Sequence, residues 1–526
     1  TGSSFGKFIA RPWQAMLVVL PALALAALPR ISLKQLPSQE RIFVDELGRQ
    51  RVFHGANVVV KGPPWLPSRD GFDYQTSLVK EDFELMVEAG MNSIRLGVMW
   101  PGVEPQRGQY DDKYLQEVRE LIDEAASYGI YTFADMHQDV LSEKFCGEGV
   151  PAWAANTHQP LPIFKKFPWP VTDPFTDMED GFPTRQECAK LSMQGGYGSE
   201  AAEQAFENLY SNYDGLTDAW GLYWARVAKE LLGNTALMGI NLINEPFTGN
   251  AFLDPLKLLP DHANQILQGA YDIVSKHIRE VDPEMLIFFP GVTWTDLQGL
   301  AKLNGFSHPP GGAEFANRSV LAFHYYEPPQ KTDEESRYIR EFMLANARRL
   351  QTGLFLTETW GPMWQKAAPV SEVVGVSWSY WEWKDFCKET AASEAGRSQW
   401  AAFGACKTGY GGQLFNDKGI IPEKHQMLGR MYAYAIQGTL SSEVYDEKDR
   451  TLLMRYQLDP AINGPTEIYA HPQWHGGPGG KVEVITAKEV QATYNATARR
   501  ITLTPTAAAV AGPVDVVVRP AGSVLV

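Results

Sequence analysis

A chain of 526 residues is too long for one average domain, but a barrel of roughly 250 to 400 residues with a small appendage accommodates it. Its net charge of −15 and pI near 5.2 argue against nucleic acid as a partner and against an anionic membrane surface, since both would repel it. Aromatic residues make up 12% of the sequence, and many of the 15 tryptophans stand beside the strand-end motifs described below, where sugar rings can stack on them.

Residues 1–30 place Lys7 and Arg11 ahead of the apolar run from Ala15 to Leu28, with small residues in Ala-x-Ala spacing. This pattern predicts a secretory signal or an uncleaved anchor, and the alternative is an amphipathic helix docked on the body. The protein is accordingly expected outside the cell, anchored on the extracellular side of a membrane, or in a lysosome-like compartment. Four cysteines in such a context favour pairing. Cys146 and Cys188 bracket one insertion and Cys387 and Cys406 another, so those two pairs are expected, although three connectivities are open. No two cysteines have metal-ligand spacing, and neither a metal nor an organic cofactor is expected. Asn317-Arg318-Ser319 and Asn495-Ala496-Thr497 are sequons.

The segment from Gln39 to Gln50 reads as a small hairpin turning at Asp45-Glu46-Leu47-Gly48, and Val52 to Val60 as a first barrel strand ending at Lys61. Prolines keep Gly62 to Pro67 out of helix, giving a rim loop with Trp65 exposed. Helical spacing over 80–89 precedes a second strand, Ser93 to Val98, which carries Arg95 into the barrel. A buried arginine needs a partner: a nucleophilic carboxylate, or else an unrelated acid in a structural ion pair. A helix over 110–128 precedes the third strand, Ile130 to His137, which delivers His137-Gln138-Asp139 to the rim. His137 is read as a sugar contact, with a satisfied core histidine as the alternative.

From Ser142 to Asp214 the pattern is interrupted by about 70 residues rich in Pro, Gly and aromatics, which at this face is expected to be a binding element. A helix over 216–232 then leads to the fourth strand and Asn241-Leu242-Ile243-Asn244-Glu245-Pro246-Phe247. A carboxylate straight after an apolar strand is costly to bury, so chemistry explains it better than packing. A helix over 260–281, the strand Met285 to Phe289 leading to Trp294, and the strand Val320 to Phe323 ending in His324-Tyr325-Tyr326 follow. The seventh strand ends at Thr357-Glu358, and the eighth runs from Val374 to Trp381, then Glu382-Trp383. Eight strands alternating with helices predict an α/β fold, a (β/α)8 TIM barrel. Two strand-end glutamates on one rim can serve as nucleophile and general acid/base when they sit about 5 Å apart with differently tuned pKa values. Past residue 432, short alternating runs (452–456, 467–470, 482–485, 500–503, 514–518) predict a C-terminal antiparallel β-sandwich supporting the barrel, with carbohydrate or membrane contact as a weaker role. The expected division is 1–30 signal or anchor, 31–432 barrel with an insertion at about 142–215, and 433–526 sandwich.

Asn57 to Pro64, Asp135 to Asp139 with Ser142, Asn241 to Phe247, His324-Tyr325-Tyr326, Thr357-Glu358 and Ser379 to Glu382 together resemble the endoglycoceramidase group of glycoside hydrolase family 5. The resemblance implies a retaining β-glycosidase with Glu245 as acid/base and Glu358 as nucleophile. It also implies substrate binding by Lys61, His137, Asp139, Asn244, Tyr326 and Trp381, with Tyr326 hydrogen-bonded to the nucleophile and Arg95 and His324 supporting it. The implied substrate is a glycolipid met by a monomer at a membrane or micelle surface, its lipid lying along Trp65, Leu66, Trp360, Met363, Trp364, Trp383 and Phe386. Gly62 and the insertion containing Cys146 and Cys188 depart from the group's pattern where the head group is chosen. The alternatives are a steryl β-glucosidase or β-1,4-glucanase of the same family, or a catalytically inactive glycolipid-binding protein.

Overall fold

The computed structural model describes residues 27–159, 166–179, 181–191, 193–292, 304–386 and 414–523. The apolar run before Ala27, Trp294 and the proposed pair Cys387–Cys406 lie outside the described residues, whereas Cys146 and Cys188 form a disulfide.

The eight barrel strands are His54–Val58, Ser93–Gly97, Tyr131–Asp135, Leu237–Asn241, Leu286–Pro290, Ser319–His324, Gly353–Thr359 and Ser377–Tyr380. They pair in parallel in chain order, and the last closes on the first. Every residue of these strands is buried, as a parallel sheet covered by helices requires. The covering helices follow the expected periodicity. Helix Asp112–Ser127 is capped by the Asp111 side chain, which accepts from the Tyr114 amide. It buries Leu115, Val118, Ile122 and Ala125 on one face and gives way to Gly129 at φ +79°. Among the described residues, no helix is long and apolar enough to cross a membrane.

Opposite chemistries fill the two ends of the barrel. At the N-terminal end Phe133, Phe288 and Phe355 pack with ring centroids 4.8–5.9 Å apart, and Phe43 plugs them from below at 6.0–6.3 Å from Phe355 and Phe288. Phe43 comes from the N-terminal hairpin (Ser32–Gln35 with Arg41–Val44), whose apolar residues Ile31 and Leu33 join the same cluster. The C-terminal end is polar and holds the site described below.

The same hairpin changes the domain partition expected from sequence. Through Gln50–Arg51 it continues into a seven-stranded sheet with Tyr432–Ile436, Thr466–Tyr469, Arg500–Pro505 and Val490–Asn495. A four-stranded sheet of Gly438–Asp446, Thr451–Leu458, Gly512–Pro520 and Val482–Thr486 shares its apolar core. Residues 32–51 therefore join the sandwich's sheet while their apolar side chains plug the barrel, and no single cut near residue 432 separates the two units. Their interface is buried and specific. The His54 ring lies between Trp378 and Tyr432 at 4.3 and 3.6 Å, Arg430 holds Glu372 at 2.8 Å, and the Tyr432 hydroxyl donates to the Gly90 carbonyl at 2.7 Å.

Candidate active site

Arg95 organises the polar end of the barrel. Its inward position follows from strand alternation between Ile94 and Leu96, which face the helices. One guanidinium nitrogen, Nη1, donates to Glu358 Oε2 at 3.0 Å and to Asn57 Oδ1 at 3.0 Å; the other, Nη2, reaches Asn244 Oδ1 at 2.9 Å and Asp135 Oδ1 at 2.9 Å. The two partners weighed from sequence, a nucleophilic carboxylate and a structural acid, are thus both present on one side chain. Tyr326 donates to the other oxygen of Glu358 at 2.7 Å, so both carboxylate oxygens accept hydrogen bonds. Asn57 also donates to the carbonyls of Thr357 and Tyr380 at 3.1 Å, tying the ends of the first, seventh and eighth strands together.

Glu245 sits four residues past its strand with φ +38°, a left-handed conformation that a non-glycine residue adopts only when its surroundings enforce it. Gln138 enforces it by donating to the carbonyls of Asn244 and Glu245 at 2.8 and 2.7 Å while accepting from the Leu141 amide. Oε1 of Glu245 shares a 2.7 Å hydrogen bond with His324 Nδ1, and His324 Nε2 lies 3.8 Å from Glu358 Oε2. His324 was expected to support Glu358, but its hydrogen bond goes to Glu245. Oxygens of the two glutamates and a ring nitrogen of His324 all lie within 4.8 Å of one another. Burial, reinforced by the Asp139 charge, pushes Glu245 up to about 8, and burial lowers His324 to about 4, so near neutral pH an uncharged carboxyl meets an uncharged imidazole.

Lys61, His137, Asp139, Asn244 and Trp381 are brought together beside this pair. The Lys61 ammonium is ion-paired with Asp139 and lies 4.9 Å from the centroid of the Trp381 ring, against which the His137 ring stacks at 5.1 Å. Asp135 accepts from His137 Nδ1 at 3.0 Å and from Asn241 at 2.6 Å, so one carboxylate orients both Arg95 and His137. Burial raises Asp135, but Arg95 and His137 outweigh it and hold it below the usual carboxylate range. Asp139 is likewise driven down, against its burial, by Lys61. A residue unforeseen from sequence completes the group. Glu148, from the insertion, is bridged to Asp139 by paired backbone hydrogen bonds and places Oε1 3.5 Å from the Lys61 ammonium. Burial pushes it well above the carboxylate range, against the pull of Lys61. His137, Asp139 and Glu148 have the donor chemistry of a cation site, and the lysine ammonium already serves there as the cation.

Most of the residues expected to wall a lipid turn into the core instead. Trp65, Leu66, Trp364, Trp383 and Phe386 are buried in the core, leaving Trp360 and Met363 half-exposed. Position after a strand end does not say whether a side chain turns to the cleft or to the helices. Trp383, for example, turns away to donate to Asp82 at 3.0 Å. Asp135 and Gln138 had a weak signal in sequence, as polar residues at or just past a strand end, whereas Glu148, inside the insertion, had none; the partners of all three come from other strands or from the insertion.

Residues 66–387 match the family model "Cellulase (glycosyl hydrolase family 5)", and residues 430–518 match "Glycoside hydrolase family 5 C-terminal domain". An endoglycoceramidase of Hydra vulgaris is 37% identical over 85% of this chain and 82% of its own length. One from Cyanea nozakii is 42% identical over 65% of this chain and 68% of its own. A solved structure of endo-glycoceramidase II from Rhodococcus sp., in complex with ganglioside GM3, shares the fold with a TM-score of 0.66 at 21% identity, covering 91% of this chain and 99% of that one. With its barrel, its C-terminal domain and the relatives from Hydra vulgaris and Cyanea nozakii aligned along most of their length, the chain belongs to glycosyl hydrolase family 5, in its endoglycoceramidase-like group.

Proposed function

We propose that this glycosidase hydrolyses the β-linkage between the sugar head group and the lipid of a glycosphingolipid, releasing the sugar chain intact. The observation that carries the reading is the closeness of two carboxyls, Glu245 and Glu358, within 4.8 Å, in a chain whose relatives over most of its length are endoglycoceramidases. Glu358, held by Arg95 and Tyr326, attacks the anomeric carbon and forms a glycosyl-enzyme ester. Glu245, protonated near neutral pH because it is buried, gives its proton to the departing lipid oxygen. It then takes a proton from the water that attacks the ester, and the configuration is retained. Asn244, fixed by Arg95, is placed for the sugar 2-hydroxyl. Lys61, His137, Asp139 and Trp381 form a wall of charged and aromatic groups suited to sugar hydroxyls and a sugar face. The disulfide supports an oxidising compartment, so we place the protein on the secretory route.

Incubation with a ganglioside, glucosylceramide, a steryl glucoside and cellopentaose, each with detergent, tests the reading by product analysis. Intact ganglioside sugar with free ceramide is expected. Glucose from glucosylceramide or steryl glucoside alone would move the enzyme to the glucosidase reading, and cleavage of cellopentaose alone would refute a lipid substrate.

A further inference from the structure

The loop that leaves Glu245 and returns to helix Pro260–Val281 has its polarity inverted. Leu253, Leu256, Leu258 and Leu259 are 48–58% exposed, while Lys257 between them and Asn250 before them turn inward. Lys257 is buried on Glu207 at 2.6 Å. Asn250, also buried, donates to Glu200 at 3.1 Å and Gln204 at 2.8 Å, and the Ala251 amide donates to Glu203 at 2.8 Å. All four acceptors lie on one helix of the insertion, Glu200–Tyr210. Asp254 caps the short turn Pro255–Leu258 through the Leu256 amide and reaches His262 at 3.2 Å. Phe252, 38% exposed, meets Trp169 of the insertion at 6.1 Å. A loop left to hydration alone would do the reverse, since exposing four leucines while burying a lysine and an asparagine costs free energy at both ends. A contiguous exposed apolar edge of this kind marks a binding surface.

We propose that residues 252–259 are a docking edge whose leucines enter the surface of a neutral or zwitterionic lipid aggregate, beside the mouth of the active site. The occupant follows from three observations. The edge lies in the loop that runs from Glu245, at the polar end of the barrel, to helix Pro260–Val281. Its one cation is buried on Glu207, and its one acid, Asp254, is engaged by the Leu256 amide and by His262, which leaves leucines as the main outward groups of the edge. The net charge of −15 disfavours an anionic surface. The inference rests on the glycolipid reading above but can fail independently of it.

The test uses the full chain and a Leu253→Ser/Leu256→Ser/Leu258→Ser/Leu259→Ser variant, with phosphatidylcholine vesicles, glycosphingolipid embedded in them, the same lipid in detergent, and a soluble aryl β-glycoside. The wild type is expected to float with the vesicles and the variant about 10-fold less, with vesicle-substrate turnover falling by a similar factor and aryl-glycoside kcat/KM unchanged. Equal flotation of the two proteins, or no flotation of a wild type that cleaves the detergent-dispersed lipid, overturns the docking edge and leaves the substrate reading intact. Flotation without cleavage of any glycolipid supports the edge and refutes that reading. A wild-type dimer that the variant splits, without vesicle binding, assigns the edge to a second copy and overturns the proposal. Should the variant lose aryl-glycoside activity through misfolding, Leu256→Trp in the otherwise native chain decides: its emission shifts to the blue on adding vesicles if the edge docks, and stays put if it does not.

Discussion

Glu245 combines a left-handed backbone, a buried carboxyl and a neighbouring negative charge, and each can be perturbed separately. Replacing Asp139 by Asn removes the like charge that adds to burial in raising Glu245, and it leaves Lys61 less compensated. Both changes favour the carboxylate. The basic limb of kcat/KM on a glycolipid, which reports loss of the acid's proton as pH rises through about 8, is therefore predicted to move to lower pH in Asp139→Asn. A pH-rate profile with an unmoved or more alkaline limb would contradict the assignment. Glu358→Gln is predicted to abolish turnover. Glu245→Ala should retain slow cleavage of an activated aryl glycoside and be rescued by azide, which needs no general base. Equal, unrescued loss in both variants would reverse or refute the roles. The two glutamates could be picked out in the sequence because Glu358 stands near the end of an apolar strand and Glu245 only four residues beyond another. Gln138 and Glu148 could not, since one acts by gripping carbonyls of another strand and the other arrives on an insertion.

At the scale of elements, the contacts between barrel and sandwich are tight enough to be probed by a methyl group. Gly90 lies at φ +75°, and a Cβ there would come within 2.6 Å of the Tyr469 ring, whose hydroxyl donates to the Glu88 carbonyl. Gly90→Ala is predicted to destabilise the protein by about 1–3 kcal/mol, from overpacking at a strained position. Denaturant unfolding followed by tryptophan emission measures it, and an unchanged midpoint would show that the interface yields. The barrel strands were legible one by one, because runs of five or so apolar residues between helical periods leave little choice. The hairpin over Gln39 to Gln50 is legible, its turn joining Arg41–Val44 to Gln50–Arg51, but the strand Ser32–Gln35 and the pairing with Tyr432–Ile436 are not: that partner stands almost 400 residues away, and local pattern carries no information on it. The sandwich strands Gly438–Asp446 and Val490–Asn495 were passed over because their outward faces are polar and their alternation is incomplete.

For the whole molecule, the chain starts and ends its described course in one domain that closes the base of the barrel, while the insertion and the loop after Glu245 build the opposite face. That division assigns stability to one end and substrate to the other. Most of the tryptophans that follow strand ends serve the core, whereas Leu253, Leu256, Leu258 and Leu259 in the loop after Glu245 are exposed. The central claim is retaining cleavage at the sugar–lipid bond by Glu245 and Glu358. Proton NMR of the first sugar released from lactosylceramide in detergent tests it most directly. The account predicts intact lactose appearing first as the β-anomer, with ceramide as the other product; α-lactose as the first product, or galactose and glucose released singly, would contradict it.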